Sequence, residues 1–413
     1  GDVYKRQPFL FYSRWNTRQN NKAKTIKMFV SVLILDAGGT QALPIAESLY
    51  KAGFDIHGFF SHKLSYGYGS RFIKHKHIVQ VRKAKEYVVE LISYIQQNDI
   101  KVIMPMSDRT AEWISLYQNS LKEYVSFVTP SYDSFIKGYD KNKLMHICRN
   151  CNAPHPRTID LQDGINTAIV GMSFPALIKP NITTGGRGMT LVKDIAELHQ
   201  KLPVIEQQYG LCHLQEFIQP GGKQIKVQLF VNESSELLYS SVLHKQRYYP
   251  EAGGSSSCNE TIINDDVVAI CSEVLKKIEW KGFADFDLIE DPKDGVLKIM
   301  EINPRVPACV KSAIKSGVDY GKIYVDYALG RELKLSSSKA GYKLRHIGFE
   351  VLWFLKSKKR FQTHPSWFRF FVKNLFFQDF AWNDPLPFFY GTIENVKQML
   401  NPKFRKQKGG INL

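Results

Sequence analysis

Two carboxylates and one amide share a face of a predicted β-hairpin in the second half of the chain. Two apolar segments of strand length, 283–290 and 296–303, flank the turn sequence Asp-Pro-Lys-Asp-Gly. Symmetric pairing about this turn places Asp287 directly opposite Glu301, and Asn303 lies two residues further along on the same face. The hairpin therefore brings three oxygen-bearing side chains together.

The other hairpin side chains are apolar on both faces, which predicts that both faces are buried. The face of the acids also carries Ile289, Leu297 and Ile299, and the reverse face carries Phe286, Leu288, Met300 and Ile302. Facing carboxylates in a buried hairpin repel each other and lose hydration, so they need a compensating cation. An oxygen-only donor set suits Mg2+, which usually completes its coordination shell with water and nucleotide phosphates. The alternative is a strand register that turns both acids toward solvent.

A second group of residues, upstream of the hairpin, suits phosphate binding. The buried apolar segment 174–180 carries one lysine, Lys179, and the loop that follows it contains Gly185, Gly186 and Gly188. Glycine backbone can approach phosphate oxygens closely and present amide donors, and a lysine supplies the positive charge that a nucleotide requires. Hairpins also use glycine, so the pairing of this loop with Lys179 is what favours a nucleotide site.

The polar segment 244–257 combines cations with glycines and serines. It follows the predicted strand 237–243 and contains Lys245 and Arg247. We interpret it as a long active-site loop that handles an anionic substrate. The alternative is a flexible surface loop.

The N-terminal half begins with alternating strands and helices, which predict an α/β domain with a parallel sheet. The predicted strands are 30–36, 55–60, 77–81 and 101–104, and the predicted helices are 43–52 and 85–98. Further along, Asp140 is the predicted N-cap of a helix at about 141–149, and another helix is predicted at 195–200. The turn at Gly38-Gly39 lacks the G-x-G-x-x-G spacing, which disfavours a dinucleotide site. This turn and Ser107-Asp108 follow predicted strands, where open α/β sheets bind ligands, but both also fit plain turns and helix caps.

Composition and length limit the class of protein. Hydrophobic residues make up 44% and charged residues 23% of the 413 residues, as expected for a folded chain of two or three compact units. Six cysteines do not suggest a disulfide scaffold at this length, which favours a reducing compartment such as the cytoplasm. No apolar run reaches the roughly 18 residues that a bilayer requires, which excludes an integral membrane protein.

The net charge of +17 is distributed unevenly. Much of it lies in residues 1–27, which we expect to be a disordered or non-native leader before a true start at Met28, and beyond residue 330. Residues 349–380 mix aromatic side chains with cations, and Pro365 divides them into at least two helices. They could pack on the catalytic body or lie on an anionic membrane; nucleic acid is not an expected partner, because no recognised module appears.

Short motifs in residues 29–330 resemble the ATP-grasp superfamily, in the neighbourhood of carbamoyl-phosphate synthetase large chains, biotin carboxylase and D-alanine–D-alanine ligase. The matching segments are Asp140-Lys141, Lys179-Pro180, Gly185-Gly186-Arg187-Gly188, Gln215-Glu216-Phe217-Ile218, Asp287 and Glu301-Ile302-Asn303-Pro304-Arg305. Each segment is common by itself, but together they occur in the order of the family. The segment 244–257 resembles a narrower branch, the carboxylate–amine ligases often encoded with bacterial surface-polysaccharide genes.

The resemblance implies a nucleotide site that uses ATP. Lys141 and Lys179 would contact the phosphates, and the glycine loop would close over them. Gln215, Glu216, Phe217 and Ile218 would form the hinge that binds adenine through its backbone. The family usually has an acid on the next strand to hold the ribose hydroxyls, and the nearest match here is Gln224, which implies altered nucleotide selectivity.

The resemblance also implies a metal site and a set of catalytic cations. Asp287, Glu301 and Asn303 would bind Mg2+, with Mn2+ as a substitute. Arg305 would face the substrate carboxylate or the transferring phosphoryl group. Lys179, Lys245 and Arg247 complete the set of expected catalytic residues.

The implied reaction joins a carboxylate to an amine. The carboxylate, on a small molecule or a sugar-linked substrate, attacks the γ-phosphate of ATP to give an acyl phosphate, and the amine then displaces phosphate. Three alternatives stay open: transfer to a thiol or hydroxyl acceptor, nucleotide binding without turnover, and a membrane-peripheral assembly protein. A cytoplasmic enzyme, membrane-associated or not, fits this reading, and so does a homodimer.

The predicted architecture is α/β. A Rossmann-like domain is expected at 28–136 and an ATP-grasp fold of two α+β subdomains at 137–330. A helical, aromatic and basic C-terminal extension is expected at 331–413.

Overall fold

Three β-sheets organise the protein. The structure is a computed structural model that describes residues 30–162, 169, 171–251 and 254–401. The predicted leader at 1–27 and the expected start at Met28 lie outside the described residues. The sheets have four, four and seven strands and are called sheets A, B and C below.

Sheet A is the parallel sheet that the sequence predicts. Its strands are β1 (Ser31–Leu35), β2 (Asp55–Phe60), β3 (His75–Ile78) and β4 (Ile100–Pro105), in the spatial order β3-β2-β1-β4. The neighbouring helices are α1 (Ala42–Lys51), α2 (Tyr66–Gly69) and α3 (Ala84–Gln97). Ile45, Ala46 and Leu49 of α1 recur at helical spacing and are fully buried, so this face covers the sheet. Strand β3 begins before the predicted 77–81, because its exposed residues His75 and Lys76 give no apolar signal.

Four helices lead from sheet A to the next unit. They are α4 (Asp108–Leu116), α5 (Gln118–Leu121), α6 (Tyr132–Tyr139) and α7 (Lys141–Asn150). The Asp140 carboxylate accepts a hydrogen bond of 3.1 Å from the backbone N–H of Lys143, which confirms the predicted N-cap of α7. This cap fixes Lys141 as the first residue of the helix.

Sheet B is antiparallel. Its strands are β5 (Thr158–Asp160), β6 (Ala176–Pro180), β7 (Thr190–Val192) and β8 (Cys212–Glu216), in the order β5-β8-β6-β7. Helix α8 (Ile195–Tyr209) packs on the sheet through Leu198, Leu202 and Ile205 and is longer than the predicted 195–200. The glycine-rich loop connects β6 to β7.

Sheet C spans the second half of the protein. Its strands are β9 (Gln224–Val231), β10 (Leu237–Tyr249), β11 (Ser255–Ile262), β12 (Gly282–Glu290), β13 (Leu297–Asn303), β14 (Lys343–Arg345) and β15 (Leu375–Phe377). Their order is β13-β12-β9-β10-β11-β14-β15. The helices associated with them are α9 (Asp265–Ile278), α10 (Val310–Ser316) and α11 (Tyr320–Ala328). The Tyr324 hydroxyl donates to the carbonyl of Ile103 at 3.1 Å, which ties α11 to sheet A.

Residues 244–249 and 255–257 belong to two paired β-strands, so the predicted loop is wrong. Strand β10 continues to Tyr249, which pairs with Ser255 at the start of β11. The strand was not predicted because Lys245 and Arg247 interrupt the apolar pattern. These two cations can occupy the strand because both form ion pairs inside the fold. Register shifts on either side of Arg247 direct these two cations to different partners.

The hairpin of β12 and β13 has the predicted pairing at its acidic end. Asp287 pairs with Glu301, but the register then shifts, so that Leu288 pairs with Ile299 and Met300 is left without a partner. Ile299 consequently joins the apolar core, and Met300 is only partly buried. The predicted faces of Ile299 and Met300 are therefore wrong, because a β-bulge inverts the alternation. Ile289 and Leu297 are also only partly buried, so burial of both faces is wrong.

The C-terminal region contains helices α12 (Ile347–Lys356) and α13 (Leu386–Leu400), together with strands β14 and β15 of sheet C. Only α12 falls in the segment 349–380, so the prediction of a second helix there, after Pro365, is wrong; that part of the segment carries β15 instead. Glu350 of α12 is buried and accepts hydrogen bonds from Arg345 and Arg247. Trp353 is buried, whereas Phe371 is almost fully exposed. None of the described helices is both long enough and apolar enough to cross a membrane.

Candidate active site

The acidic end of the β12–β13 hairpin forms the centre of the candidate site. Asp285 and Asp287 project from the same face of β12 toward Lys226 of β9, whose Nζ lies 2.6 Å from Asp285 Oδ2 and 2.9 Å from Asp287 Oδ2. Lys245 of β10 lies 2.8 Å from Asp287 Oδ1. Asn303 donates its amide to Asp287 Oδ2 at 3.0 Å. Two acids and two lysines thus form one ion cluster.

The two acids of this cluster titrate differently. Burial raises the pKa of Asp285 to about 6 against the pull of Lys226, and its Oδ1 has no hydrogen-bond partner among the described residues. Burial acts in the same sense on Asp287, but Lys226 and Lys245 outweigh it and hold the pKa of Asp287 below its usual range. Asp287 is therefore the stronger acid of the pair and stays ionised to lower pH than Asp285.

Sequence reasoning missed Asp285 and Lys226. Asp285 lies two residues before Asp287 and therefore shares its face, so the alternation alone would have found it. Lys226 lies within the apolar strand β9, directly opposite Asp287. A cation in a strand buried on both faces needs an anionic partner, and that was the available signal.

Lys141 connects the acids to the glycine loop. Its Nζ lies 3.4 Å from Glu301 Oε2 and donates to the carbonyl of Thr183 at 2.7 Å. Lys179 of β6 is fully buried among sheet B residues, and its Nζ donates to Gln215 Oε1 at 2.9 Å. Burial lowers the pKa of Lys179 to about 8, and Lys141 adds to this effect while Glu301 opposes it. Lys141 thus contacts Glu301 directly, and Lys179 lies within the electrostatic field of both.

The glycine loop has a backbone that side-chain-bearing residues rarely adopt. Gly185, Gly186 and Gly188 have φ angles of 67°, 72° and 74°. A Cβ on Gly188 would lie 2.7 Å from Tyr209 and 2.8 Å from Pro180, whereas a Cβ on Gly185 would meet nothing within 4 Å. The loop is therefore packed at Gly188 and open at Gly185.

The predicted hinge is the end of β8. Gln215 is fully buried between Lys179 and Thr158, to whose hydroxyl its amide donates at 3.1 Å. The Glu216 carboxylate lies 3.4 Å from Lys293 Nζ, so it points away from the ion cluster. Phe217 and Ile218 follow the strand and are partly buried.

Two further predicted site residues, Gln224 and Arg305, lie at the ends of strands. Gln224, the first residue of β9, is hydrogen-bonded to the hydroxyl of Tyr248. Arg305, just after β13, places Nε 2.9 Å from Asp108 Oδ1 at the start of α4. Arg305 is also in the electrostatic field of Asp285, Asp287 and Glu301, which helps to raise its pKa against the effect of burial. Asp108 thereby links the loop after sheet A to the site.

Arg247 is not part of this constellation. Its guanidinium is buried against Glu350, with Nη2 at 2.7 Å from Oε2, and its Nη1 donates to the carbonyl of Pro365. Its contacts support a structural function rather than the predicted catalytic one.

The donor set at the hairpin fits a divalent cation by chemical type. Asp287, Glu301 and Asn303 offer carboxylate and amide oxygens, the ligands that Mg2+ prefers. Around them lie four lysines and one arginine, an excess of positive charge that suits polyphosphate. The arrangement can accordingly hold a metal–polyphosphate complex above sheet C.

Comparison with known proteins gives a family match that spans the site residues from Lys141 to Arg305. Residues 139–309 match a family described as "ATP-grasp domain". The carbamoyl phosphate synthase large chain of Thermoanaerobacter sp. (strain X514) is 24% identical over 268 residues, which cover 60% of this chain and 24% of that protein. The D-aspartate ligase of Enterococcus faecium (strain Aus0004) is 25% identical over 234 residues, covering 51% of this chain and 55% of that protein. This chain thus matches less than two thirds of the length of either relative.

Solved structures share the fold. The biotin carboxylase domain of Hydrogenobacter thermophilus 2-oxoglutarate carboxylase, crystallised with MgADP and bicarbonate, superposes with a TM-score of 0.64 at 15% identity and covers 77% of this chain and 74% of that one. The L-amino acid ligase of Bacillus licheniformis has a TM-score of 0.56 at 14% identity and covers 73% of this chain and 74% of that one.

Proposed function

We propose that this chain, whose residues 139–309 are an ATP-grasp domain, is an ATP- and Mg2+-dependent ligase that joins a carboxylate to an amine. The observation that carries the proposal is the contact of three lysines, Lys141, Lys226 and Lys245, with the acids of one hairpin. Cations and carboxylates placed together suit phosphoryl transfer, which depends on positioning and electrostatics. The thiol of Cys309 lies near the cluster, but burial raises its pKa to about 12, which makes it a poor nucleophile.

The nucleotide would lie between sheets B and C. Lys141 and Lys179 would contact its phosphates, since both ammonium groups are held near Glu301. The open backbone at Gly185 would approach the phosphates from the other side. The backbone of 216–218 would hydrogen-bond adenine, and Gln224 would bind the ribose hydroxyls.

Asp287, Glu301 and Asn303 would hold Mg2+ or Mn2+, which when bound neutralises charge on the nucleotide phosphates. Asp287 suits this role because it stays ionised, whereas Asp285 is the weaker acid of the pair. Lys226 and Lys245 would then lie beside the phosphates as well as beside Asp287.

The reaction would proceed in two steps. An oxygen of the substrate carboxylate attacks the γ-phosphorus of ATP, and the bond to the β,γ-bridging oxygen breaks to release ADP. The amine then attacks the carbonyl carbon of the acyl phosphate, loses a proton and expels inorganic phosphate. Arg305 and Lys179 would stabilise the charge that develops on the transferring oxygens in the first step.

The substrate class follows from the relatives only in outline. One relative is a D-aspartate ligase and one solved neighbour is an L-amino acid ligase. We therefore propose that an amino acid or a sugar-linked acid supplies the carboxylate in this reaction. All six cysteines are free thiols, consistent with the proposed cytoplasmic location.

ADP release measured against a panel of amino acids and uronic acids, each with a set of amines, tests this function. The double variant Asp287→Asn/Glu301→Gln should lose at least about a hundred-fold in Mg2+-dependent turnover, because it removes the charge of both proposed ligands. Glu290→Gln is the matched control, since Glu290 ends the same strand and pairs with the exposed Lys223. Unchanged turnover in the double variant would refute the site.

A second candidate function is nucleotide binding without ligation. The observation in its favour is that Lys226 and Lys245 already balance the charge of Asp287. Tight ATP binding together with no ADP release for any carboxylate–amine pair would favour this candidate.

Membrane contact through 349–380 is a separate proposal. This region exposes Phe361, Phe368 and Phe371, which lie near several cations. We expect co-sedimentation with anionic liposomes at low salt and release at high salt. If the protein did not bind these liposomes at low salt, membrane contact would be refuted, and residues 349–380 would serve to pack against the rest of the protein.

A further inference from the structure

Three potential metal ligands lie together at one edge of sheet A. They are Asp55 and His57 of β2 and His75 of the edge strand β3. One ligand atom from each lies within 4.8 Å of the other two. Asp55 and His75 are the first residues of their strands, so the cluster lies near the amino ends of the parallel strands. The proposed ligase site meets sheet A beyond the carboxyl end of β4, on the opposite edge.

The distances within this cluster are close to those of a metal coordination sphere. His75 Nε2 lies 3.0 Å from Asp55 Oδ2, and His57 Nε2 lies 3.7 Å from the same oxygen. Ligands bound tetrahedrally at about 2.0–2.1 Å from Zn2+ are about 3.3 Å apart. The two observed distances bracket that value, so the spacing of the ligand atoms suits an ion. The exposed ring of His75 would have to turn out of its stack on His57 for both nitrogens to face that ion.

The surrounding structure orients both histidines. His57 is buried, and a hydrogen bond of 3.0 Å joins its Nδ1 to the hydroxyl of Tyr94 on α3, which leaves Nε2 facing Asp55. Metal-bound imidazole typically has its other ring nitrogen held by a hydrogen bond of this kind. The ring of His75 stacks on that of His57 with centroids 4.1 Å apart. His75 itself is exposed, so an ion can reach the cluster from solvent.

We propose that Asp55, His57 and His75 bind one zinc ion. Two imidazole nitrogens and one carboxylate oxygen suit Zn2+, whereas Mg2+ and Ca2+ favour sets made only of oxygens. Three protein ligands leave one position for water on the exposed side. The ion would join β2 to β3 and thereby hold the edge strand of sheet A in place.

The matched variants come from the same two strands. Asp55→Asn and His75→Ala each remove one ligand from a partly or largely exposed position. His77→Ala is the control, because His77 lies on β3 but pairs with Glu90 of α3 at 2.7 Å. Far-UV circular dichroism of each full-length variant verifies that it is folded.

Isothermal titration with Zn2+, after treatment with a chelator, measures the site directly. We expect one equivalent to bind the unaltered protein and the His77→Ala variant, with affinity at least about ten-fold lower in Asp55→Asn and His75→Ala. Co2+ should give visible absorption bands of a tetrahedral site in the same two proteins, and Zn2+ should raise their Tm. Equal Zn2+ affinity in all four proteins, or a loss in His77→Ala as large as in His75→Ala, would overturn the proposal.

Discussion

Among the described residues, Glu350 is the only anion that contacts the buried side chains of Arg247 and Arg345. Replacing Glu350 by Gln therefore removes the negative charge from this buried cluster. The two guanidinium groups and Glu350 are at most 3% exposed, and both Nε atoms donate to its carboxylate, at 3.0 Å and 2.7 Å. Breaking a buried ion pair by removing one partner costs about 3–5 kcal/mol, because the remaining charge is left uncompensated. Here two cations are left, and backbone carbonyls of 365–369 offset only part of the loss.

The expected effect on thermal stability follows from the size of the chain. An unfolding entropy of about 2.1 cal/mol/K per residue amounts to about 0.9 kcal/mol/K for a chain of this length, so Glu350→Gln should lower Tm by about 3–6 °C. Thermal unfolding followed by circular dichroism measures this change. Far-UV spectra at low temperature should not change.

The matched control is Glu273→Gln on α9. Glu273 pairs with Lys276 at 2.6 Å, but both side chains are about half exposed. An exposed pair contributes no more than about 1 kcal/mol, so Tm should fall by roughly 1 °C or less. If Glu350→Gln lowered Tm no more than Glu273→Gln does, the buried cluster would contribute no more to the stability of the fold than an exposed ion pair.

Two further predictions concern the proposed nucleotide site. Since burial lowers the pKa of Lys179 to about 8, the affinity of the protein for ATP should fall as pH rises through 8, where the lysine loses its charge. Titration calorimetry at a series of pH values should show this fall, and the Lys179→Met variant should not show it. An affinity of the unaltered protein that does not change with pH would contradict a contact between Lys179 and phosphate. Gly188→Ala should lower Tm more than Gly185→Ala, because both glycines have positive φ but only a Cβ at Gly188 would meet Tyr209 and Pro180. Equal decreases in Tm would show that backbone strain alone, and not the contacts of the new Cβ, sets the loss of stability.

Local sequence patterns predicted the elements that carry the site. The pairing of Asp287 with Glu301 followed from turn chemistry and strand alternation, and the cap at Asp140 followed from its residue type. The unpaired Met300 did not follow, because periodicity cannot reveal one extra residue in a strand.

Long-range contacts were beyond the reach of local patterns. Arg247 and Glu350 are 103 residues apart, and nothing in either segment identifies the other as a partner. Without that contact, the polar stretch around Arg247 resembled a solvent-exposed loop. Lys226 and Asp285 were different only in part: strand alternation marks each as a charged residue on a buried face, but their contact across 59 residues is also long-range.

The order of strands in sheet C has a consequence for truncation. Strands β14 and β15, from the C-terminal region, cover the outer edge of β11, and Cys258 of β11 pairs with Arg345. A chain that ended near residue 340 would retain the matched ATP-grasp residues but would present the backbone N–H and C=O groups of β11 to solvent. Exposed strand edges of this kind template intermolecular pairing. The shortened protein would therefore tend to aggregate through β11, and the C-terminal strands act as a shield against self-association.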